Sequence, residues 1–447
     1  MSKKKLKLCI KILLCMLLAD GVFLLYKYNE MRQTSGASIA AFKPSNVLNS
    51  LQFGNRKDIF KKYRNKDRNL SLKQVNAILN LKDLAKVRSQ YTKKGNESVQ
   101  SVLLLKTHKT GSSTIQNILL RYAILRNLTI ALPAFKASFF WPLPFDAEEF
   151  VTKQKGITKY DFLVHHSKFH EAEMKIIMKP EAKFITILRD PVSLFKSAFA
   201  YYNMHSVRCF NTSIENIMYS PYIDRIQATG RCGSGLPVSN LQAFDLGLSM
   251  EKMDTASVDN LIQQLDRVMN IVIITEYFDE SLILLRKKFN WELADIVYFK
   301  QNAQNGRSTR KASHPRKINK FIARLNGADI QIYKHFKQKF LNELDETFTK
   351  DELQSELSAL HKLQGNYLDQ CVETLAIANS SYFNHLTQNQ IYFRPYGSNT
   401  LGYVLRNSAK SDINCRLMAL PELSITYFLK GVAARPVSFS ERKSPNF

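Results

Sequence analysis

The stretch Val102-Leu103-Leu104-Leu105-Lys106-Thr107-His108-Lys109-Thr110-Gly111-Ser112-Ser113-Thr114 decides the fold class of this chain. Its first four residues form a short, fully apolar run, which is typical of a strand buried on both faces. A turn-like segment follows, and the apolar spacing over Ser113–Arg126 then predicts a helix. Strand, loop and helix in this order are the repeating unit of α/β proteins.

The same buried-strand signature recurs three times, at Asp161–Val164, Phe184–Leu188 and Ile271–Ile274. Helical patterns occur at Val192–Tyr202, Asp279–Phe289 and Asp329–Phe340. Strands without polar alternation, separated by helices, indicate a parallel sheet with helices on both faces. We therefore predict an α/β fold. The residues from Ile391 to Phe447 have no clear period and receive no assignment.

The loop between the first strand and its helix has the composition expected of an anion site. Gly111 lets the backbone approach a ligand closely, and a helix that opens at Ser112 or Ser113 directs N–H groups and the positive end of its dipole to the same point. Lys109 adds a positive charge. A Walker A loop has an earlier Gly and places its Lys after the second one, so a nucleoside triphosphate kinase is disfavoured. The alternative is a turn rich in Ser and Thr for helix capping, which explains one hydroxyl but not the Lys and His.

A second polar segment follows the strand at Phe184–Leu188. Arg189 comes directly after the strand, and its guanidinium suits phosphate oxygens. Pro191 fits the first position of a helix, which places Ser193 and Ser197 four apart on one helix face. Taken alone, an Arg-Asp surface pair before a helix is a realistic interpretation. Two polar segments after two parallel strands favour a shared anionic ligand.

The composition excludes several classes of protein. A chain of 447 residues that is 45% hydrophobic and 11% aromatic is neither a disulfide-dependent mini-protein nor disordered throughout. The formal net charge is +26, but residues 1–100 hold 21 Lys and Arg against 6 Asp and Glu, which leaves +11 for the rest. Such a body suits anionic small substrates or an anionic membrane surface at least as well as DNA, so no nucleic-acid partner is expected.

The N-terminus predicts a membrane anchor. Lys3, Lys4, Lys5 and Lys7 precede an apolar run at 8–26, which has nearly the length of a bilayer helix. Basic residues before the run predict type II topology, with a cytoplasmic tail at 1–7 and a lumenal remainder. A cleaved signal peptide is the alternative, and Asp20 within the run leaves the choice open. We expect a polar stem at 27–98, with a short helix over Ser71–Val87, and a lumenal domain at 99–447.

Sequons and cysteines agree with the secretory pathway. Asn-x-Ser/Thr sequons occur at Asn69, Asn96, Asn127, Asn211 and Asn379. Four of the six cysteines lie beyond the predicted anchor, an even number that permits two disulfides. Cys209 with Cys232 is the pair we expect, and four buried free thiols are the alternative.

The two polar segments resemble those of the sulfotransferases that use 3′-phosphoadenosine 5′-phosphosulfate. The stretches Leu105–Arg121, Asn127–Pro133 and Thr275–Leu282 are similar to the galactose-3-O-sulfotransferase family, which includes galactosylceramide sulfotransferase. The resemblance covers about residues 103–302, with a fainter similarity at 325–340, and it does not cover the stem. It implies a sulfotransferase fold, which is P-loop-NTPase-like. It also implies a Golgi membrane protein of type II topology.

The resemblance also implies residue roles. The first loop would hold the 5′-phosphosulfate through Lys106, Thr107, Lys109, Thr110, Gly111, Ser112 and Ser113. Arg189 and Ser197 would hold the 3′-phosphate. The expected partners are a galactose-terminated glycolipid or glycan, with galactosylceramide preferred, and the Golgi membrane. The oligomeric state stays open, with a homodimer as one option.

Sulfuryl transfer needs a base that takes the proton of the acceptor hydroxyl, and His is the side chain that titrates near neutral pH. His165 and His166 stand at the end of a predicted strand, where a parallel sheet gathers its site residues. Adjacent strand residues point to opposite faces, so one of the two faces the cleft, and the family resemblance favours His166. His108 is the second candidate, as base or as donor to the sulfonyl oxygens. Lys109 would stabilise charge on the bridging oxygen of the leaving nucleotide.

Two other functions compete with this hypothesis. One is a sulfotransferase for another sugar acceptor, and the other is a non-catalytic basic lumenal protein that binds sulfated glycans. No zinc spacing occurs among the scattered cysteines or around His165 and His166, so no metal is expected.

Overall fold

The computed structural model describes residues 71–91, 98–134, 137–207, 209–232, 237–303, 315–378, 393–395 and 400–434. The predicted tail at 1–7, the anchor at 8–26, most of the stem and three sequons (Asn69, Asn96 and Asn379) lie outside these ranges. Within the ranges, no helix has both the length and the apolar character that crossing a bilayer requires.

Four parallel strands form the central sheet: β1 (Val102–Leu105), β2 (Phe162–Leu163), β3 (Lys183–Leu188) and β4 (Met269–Ile274). Their order across the sheet is β2-β1-β3-β4. Val102 of β1 pairs with Phe162 on one side and with Lys183 on the other. The four predicted strands and the parallel α/β architecture are therefore confirmed. Because the strands are parallel, the loops after β1, β2 and β3 leave the same edge, with the β1 loop between the other two.

Helices flank this sheet. From the N-terminal side to β4, the described helices are α1 (Leu72–Ile78), α2 (Leu81–Tyr91), α3 (Ser112–Leu125), α4 (Ala147–Phe150), α5 (Glu171–Ile177), α6 (Pro191–Tyr201), α7 (Ile223–Thr229), α8 (Leu241–Asp245) and α9 (Thr255–Val268). After β4 come α10 (Phe278–Phe289), α11 (Leu293–Ile296), α12 (Pro315–Leu325), α13 (Gly327–Thr347) and α14 (Lys350–Cys371). The hairpin of β5 (Val372–Ile377) and β6 (Leu401–Leu405) precedes α15 (Ile413–Ala419) and α16 (Glu422–Ala433).

Helix α3 is the centre of the core, because every residue except Ser113 is buried. Two of its polar side chains donate hydrogen bonds to other elements. The Asn117 amide donates to the Leu417 carbonyl at 2.9 Å, and Arg121 donates to the Asp295 carbonyl at 2.7 Å. Satisfied polar groups of this kind fix a helix in one orientation. The first turn of α3 is thereby held at the end of β1.

Part of the segment expected to be a stem belongs to the core. Val75, Ile78 and Leu79 are fully buried in the main hydrophobic cluster, and α1 contacts α16. Arg416 of α15 donates to the carbonyl of Ile78 at 2.7 Å, at the end of α1. The predicted helix over Ser71–Val87 is observed as two helices, α1 and α2. The structure therefore differs from the expected stem over 71–91, where Val75, Ile78, Leu79 and Leu84 pack into the core.

The described residues form two compact units. The smaller one holds residues between 195 and 240 and between 315 and 326, and includes the disulfide Cys209–Cys232, with a Cα–Cα distance of 4.6 Å. This is the expected pairing. The larger unit holds the sheet and a second disulfide, Cys371–Cys415, with a Cα–Cα distance of 5.4 Å. That bond links the end of α14 to α15 and ties the unassigned C-terminal segment to the core.

Candidate active site

The backbone of the loop after β1 is shaped to present N–H groups. Lys109 and Gly111 both have positive φ angles, of 59° and 83°. Gly111 is the N-cap of α3, and glycine has no side chain that could cap the helix. The first N–H groups of a helix have no partner within the helix and carry the positive end of its dipole. This backbone geometry is the one expected of an anion cradle, and binding of an anion by the loop stays a prediction.

Three hydroxyl groups of this loop turn inward and hold its shape. Thr107 Oγ1 donates to the Ile187 carbonyl, and Ser112 Oγ donates to the Thr107 carbonyl at 2.6 Å. Thr110 Oγ1 donates to the same carbonyl at 3.2 Å. All three side chains are buried. These hydroxyl groups therefore hold the loop in shape. The groups of the loop that suit an anion are its backbone N–H groups.

Lys106 lies on the inner side of the same loop. Its side chain is 1% exposed, and its Nζ lies 2.6 Å from Glu422 Oε2, at the start of α16. Burial lowers the pKa of Lys106, and the Glu422 carboxylate opposes this shift. Ser113 Oγ donates to the same carboxylate oxygen at 3.2 Å and accepts from Asn302 Nδ2 at 2.9 Å. The partner of the Lys106 ammonium is thus the carboxylate of Glu422, which belongs to the C-terminal segment.

Lys109 and Arg189 meet at the mouth of the loop. Arg189 Nη1 donates to the Lys109 carbonyl at 3.0 Å, so the two polar segments predicted from the sequence are in direct contact. Gln242 of α8 fixes Arg189, since it accepts from the Arg189 backbone N–H at 2.8 Å and donates to its carbonyl at 3.0 Å. Burial, Arg189 and Lys106 lower the pKa of Lys109 to about 8. This concentration of positive charge favours a multiply charged anion.

Ser197 lies on α6, within the smaller unit, whereas Arg189 belongs to the larger one. Its predicted role at the 3′-phosphate stays a prediction. Asn127 and Asn211 are exposed, and their glycosylation also stays a prediction.

The two adjacent histidines after β2 have different environments. His165 is fully buried, and its Nε2 lies 2.9 Å from Thr426 Oγ1. Burial, together with Lys106 and Lys430, lowers the pKa of His165 to about 3. His166 is partly exposed, and its Nδ1 donates to the Lys106 carbonyl at 3.1 Å. Because a carbonyl only accepts, Nε2 of the neutral His166 ring carries the lone pair. Burial, Lys106 and His108 hold the pKa of His166 well below its ordinary value.

His108 has a carboxylate partner. Its ring Nδ1 lies 3.0 Å from both oxygens of Asp245, and its backbone N–H donates to the same carboxylate at 2.7 Å. Trp141 Nε1 donates to Asp245 Oδ1 at 2.8 Å. The ring of His108 stacks on that of His166, with centroids 4.1 Å apart. An Asp that receives Nδ1–H leaves Nε2 of His108 as an acceptor, which is the arrangement of an oriented general base.

Comparison with known proteins adds the decisive observation. A family model described as galactose-3-O-sulfotransferase matches residues 2–432. The chain belongs to this family. Galactose-3-O-sulfotransferase 3 of Mus musculus is 31% identical over 364 residues, which are 77% of this chain and 82% of the relative. Galactosylceramide sulfotransferase of Mus musculus is 29% identical over 341 residues, which are 74% of this chain and 78% of the relative. The resemblance predicted from the motifs is confirmed, and the chain is a sulfotransferase.

Some residues of this candidate site were not predicted from the sequence. Asp245 is 137 positions from His108, and Glu422 is 316 positions from Lys106. No local motif marks either one. The only sequence signal near Asp245 is the short apolar stretch around it, which predicts a buried acid in need of a partner. Among the described residues, no cluster of His, Cys, Asp or Glu is arranged to hold a metal ion, and the expectation that none is needed stays a prediction.

Proposed function

We propose that this sulfotransferase moves a sulfuryl group from 3′-phosphoadenosine 5′-phosphosulfate to the 3-hydroxyl of a terminal galactose. One observation carries the proposal. The uncapped start of α3, with Lys109 and Arg189 in contact beside it, adjoins a histidine that is oriented by a carboxylate. An anion cradle and a base that share one loop are the two parts that sulfuryl transfer to an alcohol requires.

The donor would occupy the first loop through backbone groups. The N–H groups of Gly111, Ser112 and Ser113 would receive the oxygens of the 5′-phosphosulfate, and the Lys109 ammonium would neutralise charge there. Arg189 would receive the 3′-phosphate. Lys106 would contribute indirectly, because its ammonium is paired with Glu422 behind the loop.

The chemical step is a displacement at sulfur. The acceptor oxygen forms a bond to sulfur as the bond between sulfur and the bridging oxygen breaks, and the hydroxyl proton moves to the base. We assign His108 Nε2 as that base, because Asp245 holds the Nδ1 proton and stabilises the imidazolium that forms. Lys109 stabilises the negative charge on the departing bridging oxygen.

His166 has a second role in this proposal. Its ring stacks on His108 and its Nδ1 is committed to a carbonyl, so it orients the base and limits water at the site. His166 was the base favoured from the sequence, and it remains the alternative because its Nε2 is also an acceptor. Burial, Lys106 and His108 hold the pKa of His166 well below its ordinary value, which disfavours His166 as a proton acceptor. His165 is committed to Thr426 and takes no part in proton transfer.

The finer assignments rest on the family. We propose a galactose-terminated glycolipid or glycan as acceptor, with galactosylceramide preferred, and a type II location in the Golgi membrane with the site in the lumen. The basic N-terminal segment and the lumenal disulfides support this location. A different sugar acceptor, or glycan binding without turnover, are the competing functions.

The test is direct. The detergent-solubilised full chain is incubated with radiolabelled donor and a panel of β-galactosides, and the sulfated position is mapped by NMR. Transfer to the 3-hydroxyl is expected, and it should be lost in Lys109→Ala with folding retained. Binding of sulfated glycans by a wild-type protein that transfers nothing would favour the non-catalytic alternative.

A further inference from the structure

We infer that Trp141 is the surface on which the ring of the acceptor galactose stacks, beside the base. This inference rests on the proposed function and deepens it, because it names a residue that recognises the sugar. It starts from the position of the indole. The Trp141 ring lies 4.4 Å from the His108 ring, centroid to centroid, at an angle of 50°.

The two tryptophans of the chain have different environments. Trp291 is 4% exposed, stacks on Tyr122 at 3.9 Å and donates to the Val99 carbonyl, as expected of a core residue. Trp141 is partly exposed, although its edge packs against Phe244 with centroids 5.8 Å apart. A large aromatic side chain that keeps exposed surface next to a polar site is typical of ligand-binding positions.

The segment that carries Trp141 is anchored on both sides to the residues that follow β2. Phe139 N–H donates to the His166 carbonyl at 2.8 Å, and Phe145 N–H donates to the Lys168 carbonyl at 3.0 Å. The indole therefore belongs to a short segment, Phe139–Phe145, whose two ends are hydrogen-bonded to the chain at His166 and Lys168. A site on a supported backbone keeps its geometry when a ligand binds.

Asp245 links the indole to the base. The same carboxylate accepts from the His108 backbone at 2.7 Å, from the His108 ring at 3.0 Å and from the indole of Trp141 at 2.8 Å. Two carboxylate oxygens offer about four acceptor positions, so all three donors are accommodated. One buried group thus sets the distance and angle between the aromatic ring and the base.

The chemistry of galactose fits this pair. Its axial 4-hydroxyl leaves the opposite ring face with a continuous apolar patch made of the C–H groups at carbons 3, 4 and 5. Such a patch stacks on an aromatic face, which carries partial negative charge. The 3-hydroxyl is equatorial, so in a stacked galactose it lies at the rim of the ring, where the neighbouring His108 can accept its proton. Glucose has an equatorial 4-hydroxyl and lacks the continuous patch.

The experiment measures sugar binding without turnover. Saturation-transfer NMR with methyl β-galactoside is recorded on the solubilised full chain in the presence of 3′,5′-phosphoadenosine. Wild type, Trp141→Ala, Trp141→Phe and Ile176→Ala are compared, where Ile176 is an exposed apolar residue on α5 and serves as the control. Nucleotide affinity is measured on each variant by calorimetry, so that a misfolded variant is recognised.

We expect saturation of the protons on carbons 3, 4 and 5 in wild type and Ile176→Ala. Trp141→Ala should weaken galactoside affinity about tenfold with unchanged nucleotide affinity, and Trp141→Phe, which keeps a ring, should retain most of it. Methyl β-glucoside should bind more weakly than the galactoside. Equal galactoside binding by Trp141→Ala and wild type, or no binding by wild type, would overturn the inference. Galactoside binding without sulfate transfer would instead contradict the proposed function and leave the stacking role supported.

Discussion

The loop after β1 and the loop after β2 each bring a histidine to the same edge of the sheet, but the two rings have different partners. His108, in the first loop, has a carboxylate at 3.0 Å from Nδ1. His166, in the second, has the Lys106 carbonyl at 3.1 Å. Both partners fix the tautomer, because both accept the Nδ1 proton.

The difference lies in charge. A carboxylate stabilises the imidazolium that forms when a histidine takes a proton, whereas a carbonyl does so only weakly. The environment of His166 opposes protonation further, since burial and Lys106 lower its pKa. Position at a strand end therefore does not by itself identify a base, because the group paired with the other ring nitrogen sets how well an imidazolium is stabilised.

Replacing the two histidines tests this comparison most strongly. His108→Ala should lower kcat about 10³-fold, the typical contribution of a general base, with donor affinity retained. His166→Ala should lower kcat only about tenfold, because it removes a stacking neighbour. Steady-state kinetics and nucleotide calorimetry measure both. The reverse order of the two losses would assign the base to His166.

Asp245→Asn sharpens the comparison by removing the charge and keeping the shape. An amide at this position stabilises the imidazolium poorly and can present its NH₂ group to His108, so kcat should fall about 10²-fold. A kcat equal to that of wild type would show that the carboxylate does not matter to the base.

Glu422→Gln tests how the first loop is supported. It leaves the buried Lys106 ammonium without its carboxylate, so the free energy of unfolding should fall by about 2 kcal/mol. This loss is smaller than that for breaking a fully buried ion pair, because the Glu422 side chain is 17% exposed. The double variant Lys106→Met with Glu422→Gln should recover much of this loss. Denaturant titrations measure both proteins, and equal stability of wild type and Glu422→Gln would contradict the pairing.

The pH dependence of donor binding tests the charge at the mouth of the loop. The Lys109 pKa of about 8 means that its ammonium is present below that pH and is lost above it. Affinity for 3′,5′-phosphoadenosine should therefore be constant below pH 7 and fall by up to about tenfold per pH unit above pH 8. Arg189→Gln removes a positive neighbour, so the fall should move to higher pH. A flat profile between pH 7 and pH 9 would count against Lys109 as a donor contact.

Much of the fold could be predicted from the sequence because its determinants are local. The runs at Val102–Leu105 and Phe184–Leu188 are buried on both faces, and such strands read as continuous apolar segments. The turn at Gly111 and the start of α3 were also predicted from local residues. The C-terminal helices were not, because α15 is buried on most sides and therefore lacks an amphipathic period.

The site could be predicted only where its residues are adjacent in the chain. His108, Lys109 and Gly111 share one loop, and Arg189 follows a strand, so their proximity follows from a parallel sheet. Asp245 and Glu422, which pair with His108 and Lys106, lie on helices distant in the chain, and no motif links them to the loop. The sequence also did not predict that the loop hydroxyls turn inward, because one of their acceptors is a carbonyl of the neighbouring strand β3.

The central claim is sulfuryl transfer to a galactose 3-hydroxyl at this site. The most direct measurement is transfer of radiolabel from the sulfate donor to methyl β-galactoside and to galactosylceramide by the solubilised full chain, with the product position assigned by NMR. A product sulfated at the 3-hydroxyl, formed by wild type and lost in His108→Ala, is the predicted result. A wild type that forms no labelled galactoside, or labels another hydroxyl, would contradict the account.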